Sequence, residues 1–128
     1  MKDDITETLG SPLVRVDSPP GATVAAKVES FNPGGSAKDR PATYMIEAAE
    51  AAGELQAGDR IVEPTSGNTG IGLSMVAAAK GYDITIVMSA DKSVERQRIM
   101  EAYGADLHLI EGDMTNARAV ADRLEAEE

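Results

Sequence analysis

Two short stretches of this chain carry residue types that do chemistry at a spacing that suits it. The first is residues 32–40, Asn-Pro-Gly-Gly-Ser-Ala-Lys-Asp-Arg. A lysine placed where a glycine-rich loop runs into a helix is held close to backbone amides. Once desolvated, or set beside a second cation, its free amine attacks carbonyls. Lys38 could in that way form a Schiff base with an aldehyde cofactor. A solvated lysine at a helix start accounts for the same stretch without any chemistry. The second stretch is residues 63–72, Glu-Pro-Thr-Ser-Gly-Asn-Thr-Gly-Ile-Gly, running from a strand end into a helix. In open α/β sheets ligands gather beyond the carboxyl ends of the strands. A helix N-terminus there offers unpaired N–H groups and a partial positive charge to an anion. Thr65, Ser66 and Thr69 add hydroxyls and Asn68 an amide, so the stretch suits a carboxylate or a phosphate. Helix capping by small polar residues explains one or two of them, but hardly the whole run. Glycines 67, 70 and 72 run G-x-x-G-x-G, which is not the dinucleotide-binding order, and no Walker lysine follows.

The elements that must position these loops are legible from periodicity. Residues 12–16 and 23–29 read as two strands joined by a Pro-Pro-Gly turn. A helix follows to about residue 52, with Gly53 where a left-handed cap belongs. Ser36 and Asp39 have capping-box-like spacing, but that would put Pro41 fifth in the helix at the cost of a backbone bond, so the ladder starts nearer residues 37–40. Strands at 60–63, 83–88 and 106–110 then alternate with helices at 68–80, 93–103 and 115 to the end, the earlier two stopped by Gly81 and Gly104. Units about 23 residues apart imply parallel strands joined by crossover helices, an open α/β sheet. His108, the one histidine, sits in an alternating strand and reads as exposed or at an edge. Met75, Met88 and Met100 read as core filler, and the Glu95 to Arg98 spacing as a solvated helix face.

Taken together, in this order and about thirty residues apart, the loops resemble those of the cysteine synthase (O-acetylserine sulfhydrylase) family and its relative cystathionine β-synthase. The resemblance rests on Gly10-Ser-Pro-Leu-Val14, Lys27-Val-Glu29, the Lys38 loop, Glu63 to Gly70, Gly81-Tyr82, the strand end Val87-Met88, Ser93-x-Glu95-Arg96 and Gly104-Ala105, nearly the whole chain. It implies an α/β fold, the mainly small N-terminal domain of pyridoxal 5'-phosphate (PLP) fold type II. Residues 1–35 would belong to a larger domain that is mostly absent, and residues 36–128 to the small domain. It further implies that Lys38 carries PLP and later removes the substrate α-proton, and that Asn68 bonds the cofactor's ring hydroxyl. Thr65, Ser66, Gly67, Asn68 and Thr69 would grip the α-carboxylate of a small amino-acid substrate. The implied reaction is β-replacement, in which acetate leaves O-acetylserine and sulfide adds to give cysteine. Implied partners are a second copy, as a homodimer, and the C-terminal tail of serine acetyltransferase.

The chain departs from the pattern in two ways. Pro41 stands where an aliphatic residue is usual, and the family's phosphate cup and pyridine-nitrogen partner lie further along than residue 128. A polypeptide of these residues alone is therefore expected to be inactive and to bind PLP poorly. Alternatives are a cystathionine β-synthase-like enzyme, a non-catalytic fragment, or half of a split enzyme. The Thr-Ser-Gly-Asn-Thr-Gly loop argues against a dehydratase.

Composition narrows the classes. Twelve basic against twenty-two acidic residues give a net charge of −10, which argues against nucleic acid and anionic membranes as partners. Adaptation to high salt and ordinary acidity both fit that charge. With no cysteine there is no disulfide and no Cys-type zinc site, and no metal ligands are expected. No apolar run is long enough to span a bilayer and the N-terminus does not read as a signal peptide, so a cytoplasmic location is expected.

Overall fold

The computed structural model describes every residue except Ser66 and Glu128. A short 3-10 turn, Ile5–Thr8, leads into a hairpin of β1 (Leu13–Val16) and β2 (Val24–Lys27). These pair antiparallel, Leu13 opposite Lys27 and Val16 opposite Val24. A second 3-10 turn, Glu29–Phe31, passes into α1 (Asp39–Ala51). Then come β3 (Arg60–Pro64), α2 (Asn68–Lys80), β4 (Asp83–Ser89), α3 (Val94–Ala102), β5 (Asp106–Ile110) and α4 (Met114–Glu127).

The three later strands form one parallel sheet in the order β3-β4-β5, with Glu63 beside Ile86 and Val87 beside His108. Parallel neighbours need a crossover, and α2 and α3 supply the two. Helices lie on both faces, so β4, the central strand, is buried from both sides. Its residues alternate accordingly. Ile84, Ile86 and Met88 face the core under α1, α2 and α3, whereas Val87 faces Ala117 and Ala121 of α4. Met75, Met88 and Met100 are all buried in the larger core, and His108 is exposed on the edge strand β5.

Helix α2 is the centre of this architecture. Every residue from 70 to 77 is buried, because α1, α3 and the sheet close on it from different sides. A helix enclosed in this way must be apolar all round, and its one buried hydroxyl, Ser74, donates back to the Gly70 carbonyl at 2.7 Å. It ends at Gly81 with φ of 82°, as α1 is followed by Gly53 at 74°, both left-handed positions that glycine takes without strain. Helix α1 begins at Asp39, which makes Pro41 its third residue rather than its fifth. The first N–H groups of a helix have no internal partner, so a proline there forfeits no bond. Among the described residues no helix is long and apolar enough to cross a membrane.

Candidate active site

Lys38 is the residue immediately before α1, and its backbone is held from several directions. Its N–H donates to Ser36 Oγ at 3.1 Å, and its carbonyl accepts from Ala42 N at 3.1 Å. That carbonyl also lies against α2. A Cβ built on Gly72 would stand 3.1 Å from it, 3.1 Å from Ala42 Cβ and 3.3 Å from Asp39 Oδ1. The lack of a side chain at Gly72 is thus what lets the start of α1 touch the start of α2. The two chemically suggestive loops meet at this contact, about one helical turn from Asn68. The Lys38 side chain itself is exposed, so its surroundings supply a rigid seat rather than burial.

The second loop divides into inward and outward residues. Thr65 is buried; its N–H donates to Val87 O at 3.1 Å, and its hydroxyl takes a long 3.5 Å bond from Gly67 N. Its methyl points under the helix, where a Cβ on Gly70 would come within 2.6 Å of it. Asn68 is exposed and Thr69 half-buried at the first turn of α2, and Gly67, its buried N-cap, provides no side-chain cap. The first amides of α2 are therefore not capped by that residue. Ser66, the remaining member of the expected set, lies outside the described residues.

Residues that were read only as parts of a pattern turn out to build the seat. Glu29 accepts from Ser11 Oγ at 2.5 Å, from Asn32 Nδ2 at 2.8 Å, and from Arg40 through Nε at 2.8 Å and Nη2 at 3.1 Å. Asn32 Oδ1 in turn accepts from Gly10 N at 2.9 Å. The Arg40 guanidinium, then Ser11, holds the Glu29 carboxyl down at about 2 from an ordinary 4.5. This network ties the N-terminal segment to the Lys38 loop. Charge alone would have suggested the Glu29–Arg40 pair, but nothing in the local pattern placed them together. Arg96 is exposed, on the solvated face its spacing predicts, and its guanidinium also reaches the second loop, 2.7 Å from where a Cβ on Gly67 would stand. Helix α3 packs on α2, and that tertiary contact, invisible to helix periodicity, brings it there. Asp39, at the first position of α1, is fully buried. Burial pushes its carboxyl above the ordinary 3.8, against the opposing pull of the Gly34, Gly35 and Ser36 amides.

The backbone of Lys38, which bears an exposed primary amine, thus lies against the helix whose N-terminus carries the exposed Asn68 amide. This donor set suits an aldehyde that bears a ring hydroxyl, and an amino acid's carboxylate. The glycine-rich loop is not a phosphate cradle, because the Asp39 carboxylate already engages its amides.

A family model described as pyridoxal-phosphate dependent enzyme matches residues 5–128. The chain belongs to that PLP-dependent family. It is 46% identical over 129 aligned residues to cysteine synthase B of Pseudomonas aeruginosa, covering 96% of this chain and 43% of that protein. It is 47% identical to a cysteine synthase of Staphylococcus aureus, covering 98% and 42%. The crystal structure of an O-ureido-L-serine synthase superposes with a TM-score of 0.92 at 46% identity, over 99% of this chain and 42% of that one. The fold is accordingly that of PLP fold type II enzymes, and the chain spans rather less than half the length of these three relatives.

Proposed function

We propose that this chain provides the lysine-bearing part of an enzyme that makes cysteine by β-replacement, exchanging the acetate of O-acetylserine for sulfide. One observation carries the reading: the Lys38 backbone is pressed against Gly72, so the exposed amine and the amides that open α2 belong to one rigid unit. The Lys38 amine would hold the aldehyde end of PLP, and Asn68 Nδ2 would donate to the ring hydroxyl. The first amides of α2, with the Ser66 and Thr69 hydroxyls and the Thr65–Gly67 backbone, would orient the substrate carboxylate. Bound PLP supplies the electron sink that acidifies the substrate Cα. When its amine is free, Lys38 would take that proton. Closure of residues 65–69 on the carboxylate would exclude water from the reacting centre.

The wider assignments rest on the same likeness. Leu13, Val14, Val16 and Val24 of the hairpin are exposed; since a two-stranded hairpin is marginal on its own, residues 1–35 would pack on a larger domain. Pairing of two copies, docking of an acetyltransferase tail and a cytoplasmic location extend this reading, as do the classification as a transferase and an adaptation of the acidic surface to high salt.

Treatment of a lengthened protein containing this chain with PLP and borohydride, followed by peptide mapping, tests the core of it. Lys38 should carry the pyridoxyl group ahead of Lys2, Lys27, Lys80 and Lys92; labelling of those with Lys38 untouched overturns the proposal. A lengthened protein containing this chain should release acetate from O-acetylserine with sulfide. If serine and homocysteine react faster, a cystathionine-forming enzyme replaces it.

A further inference from the structure

We propose that Asp39 is a positioning residue whose buried carboxylate clamps the 32–36 loop and so presents Lys38 beside the first turn of α2. Asp39 is 0% exposed, which is unusual for a carboxylate at a helix start, where an exposed one serves the helix dipole equally well. Its Oδ2 accepts from Gly34 N at 2.5 Å. Its Oδ1 has no hydrogen-bond partner among the described residues, although leaving a buried polar atom unpaired costs stability. What that oxygen does have is two glycines. A Cβ on Gly34 would overlap it and would lie 2.8 Å from Cγ and 2.9 Å from Oδ2; a Cβ on Gly72 would lie 3.3 Å from it. Gly34 is not among the glycines with positive φ, so it is needed there for space and not for backbone conformation. The carboxylate is a wedge between the loop that precedes Lys38 and the helix that faces it. Asp39 also directly follows Lys38, so any movement of the wedge moves the lysine's own peptide.

The inference rests on the reading of Lys38 as the cofactor-bearing lysine, and two separate measurements keep the two claims apart. Amide exchange at Gly34 reports the clamp without any cofactor. Borohydride-trapped PLP at Lys38 of a lengthened protein containing this chain, relative to exposed Lys2, reports presentation of the amine. Asp39→Ala should speed Gly34 exchange about tenfold, the equivalent of one lost hydrogen bond, and should lower relative trapping at Lys38 about tenfold through misplacement. Asp39→Asn, which retains an acceptor for Gly34 N–H, should restore both to within about threefold. If Asp39→Ala does not fold, Gly34→Ala pushes the same contact from the loop side and should give the same pair of changes. Unchanged Gly34 exchange overturns the clamp, and faster exchange with unchanged trapping overturns its role in presenting Lys38. If the lengthened wild-type protein shows no preference for Lys38 while Gly34 exchange still responds, the clamp stands and the assignment of Lys38 fails.

Discussion

Replacing Gly70 with alanine tests how tightly the second loop is seated on α2. Gly70 is helical, so alanine alone would add about 1 kcal/mol of helix propensity. The new methyl, however, would stand 2.6 Å from Thr65 Cγ2 and 2.8 Å from Met100 Sδ. Met100 is fully buried but flexible enough to yield a little. Thr65 has less room, since it is β-branched and its N–H is bonded to Val87 O at 3.1 Å. Overpacking costs about 1–3 kcal/mol, and two contacts this short belong in the upper half of that range. The net loss is then about 1–2 kcal/mol, or about 4–8 °C in Tm for a domain of this size. Thr65→Ser removes the methyl that collides; alone it should cost about 1 kcal/mol of buried surface, but it should recover part of the Gly70→Ala loss. The cycle should therefore show a coupling of about 1 kcal/mol, read from thermal and urea melts followed by circular dichroism. A Gly70→Ala chain as stable as the parent, with additive Thr65→Ser, would refute the packing argument.

Three further outcomes follow from the electrostatics and capping. Because the Glu29 carboxyl is held at about 2 in the folded chain, below an ordinary 4.5, its stabilising effect should be complete above pH about 4.5 and disappear as pH falls towards 2. Glu29→Gln should accordingly lower Tm at pH 6 and match the parent near pH 2. Glu63 is the reverse case, since burial first, then Glu125, raises its carboxyl while Arg118 opposes. Glu63→Gln should raise Tm at pH 7, and the gain should vanish in acid once the parent's carboxyl is protonated. Ser93→Ala, which removes the acceptor for Arg96 N at 3.4 Å, should cost about 0.5–1 kcal/mol in urea unfolding.

The elements were legible because each is a local pattern. The alternation of Ile84, Ile86 and Met88 against Val87 marks a strand buried on both faces, and Gly81 marks the end of α2. Lys38 and Asn68 were likewise visible as types in a loop of the right composition. What escaped was every relationship set by tertiary packing. No period in the sequence says that Arg96 would reach Gly67, that Thr65 would turn inward, or that Asp39 would be buried rather than solvated. Ser11, Glu29, Asn32 and Arg40 were present in the pattern without a task, because a hydrogen-bond network among four segments leaves no periodic trace.

The Glu29 network also has a consequence for how the molecule assembles. Its longest link, Arg40 to Ser11, spans 29 residues, and the others span 22 or fewer. These separations are no shorter than those of the parallel sheet, where Arg60 pairs with Asp83 and Thr85 with Asp106, but the whole network lies within the first 40 residues, which leave synthesis first. Much of the cradle around Lys38 can therefore be complete while β4 and β5 have yet to emerge, leaving only the Gly72 contact to be made. Nascent chains arrested with residues 1–60 clear of the ribosome should already protect the Asn32 amide side chain and the Gly10 N–H, ahead of any parallel sheet.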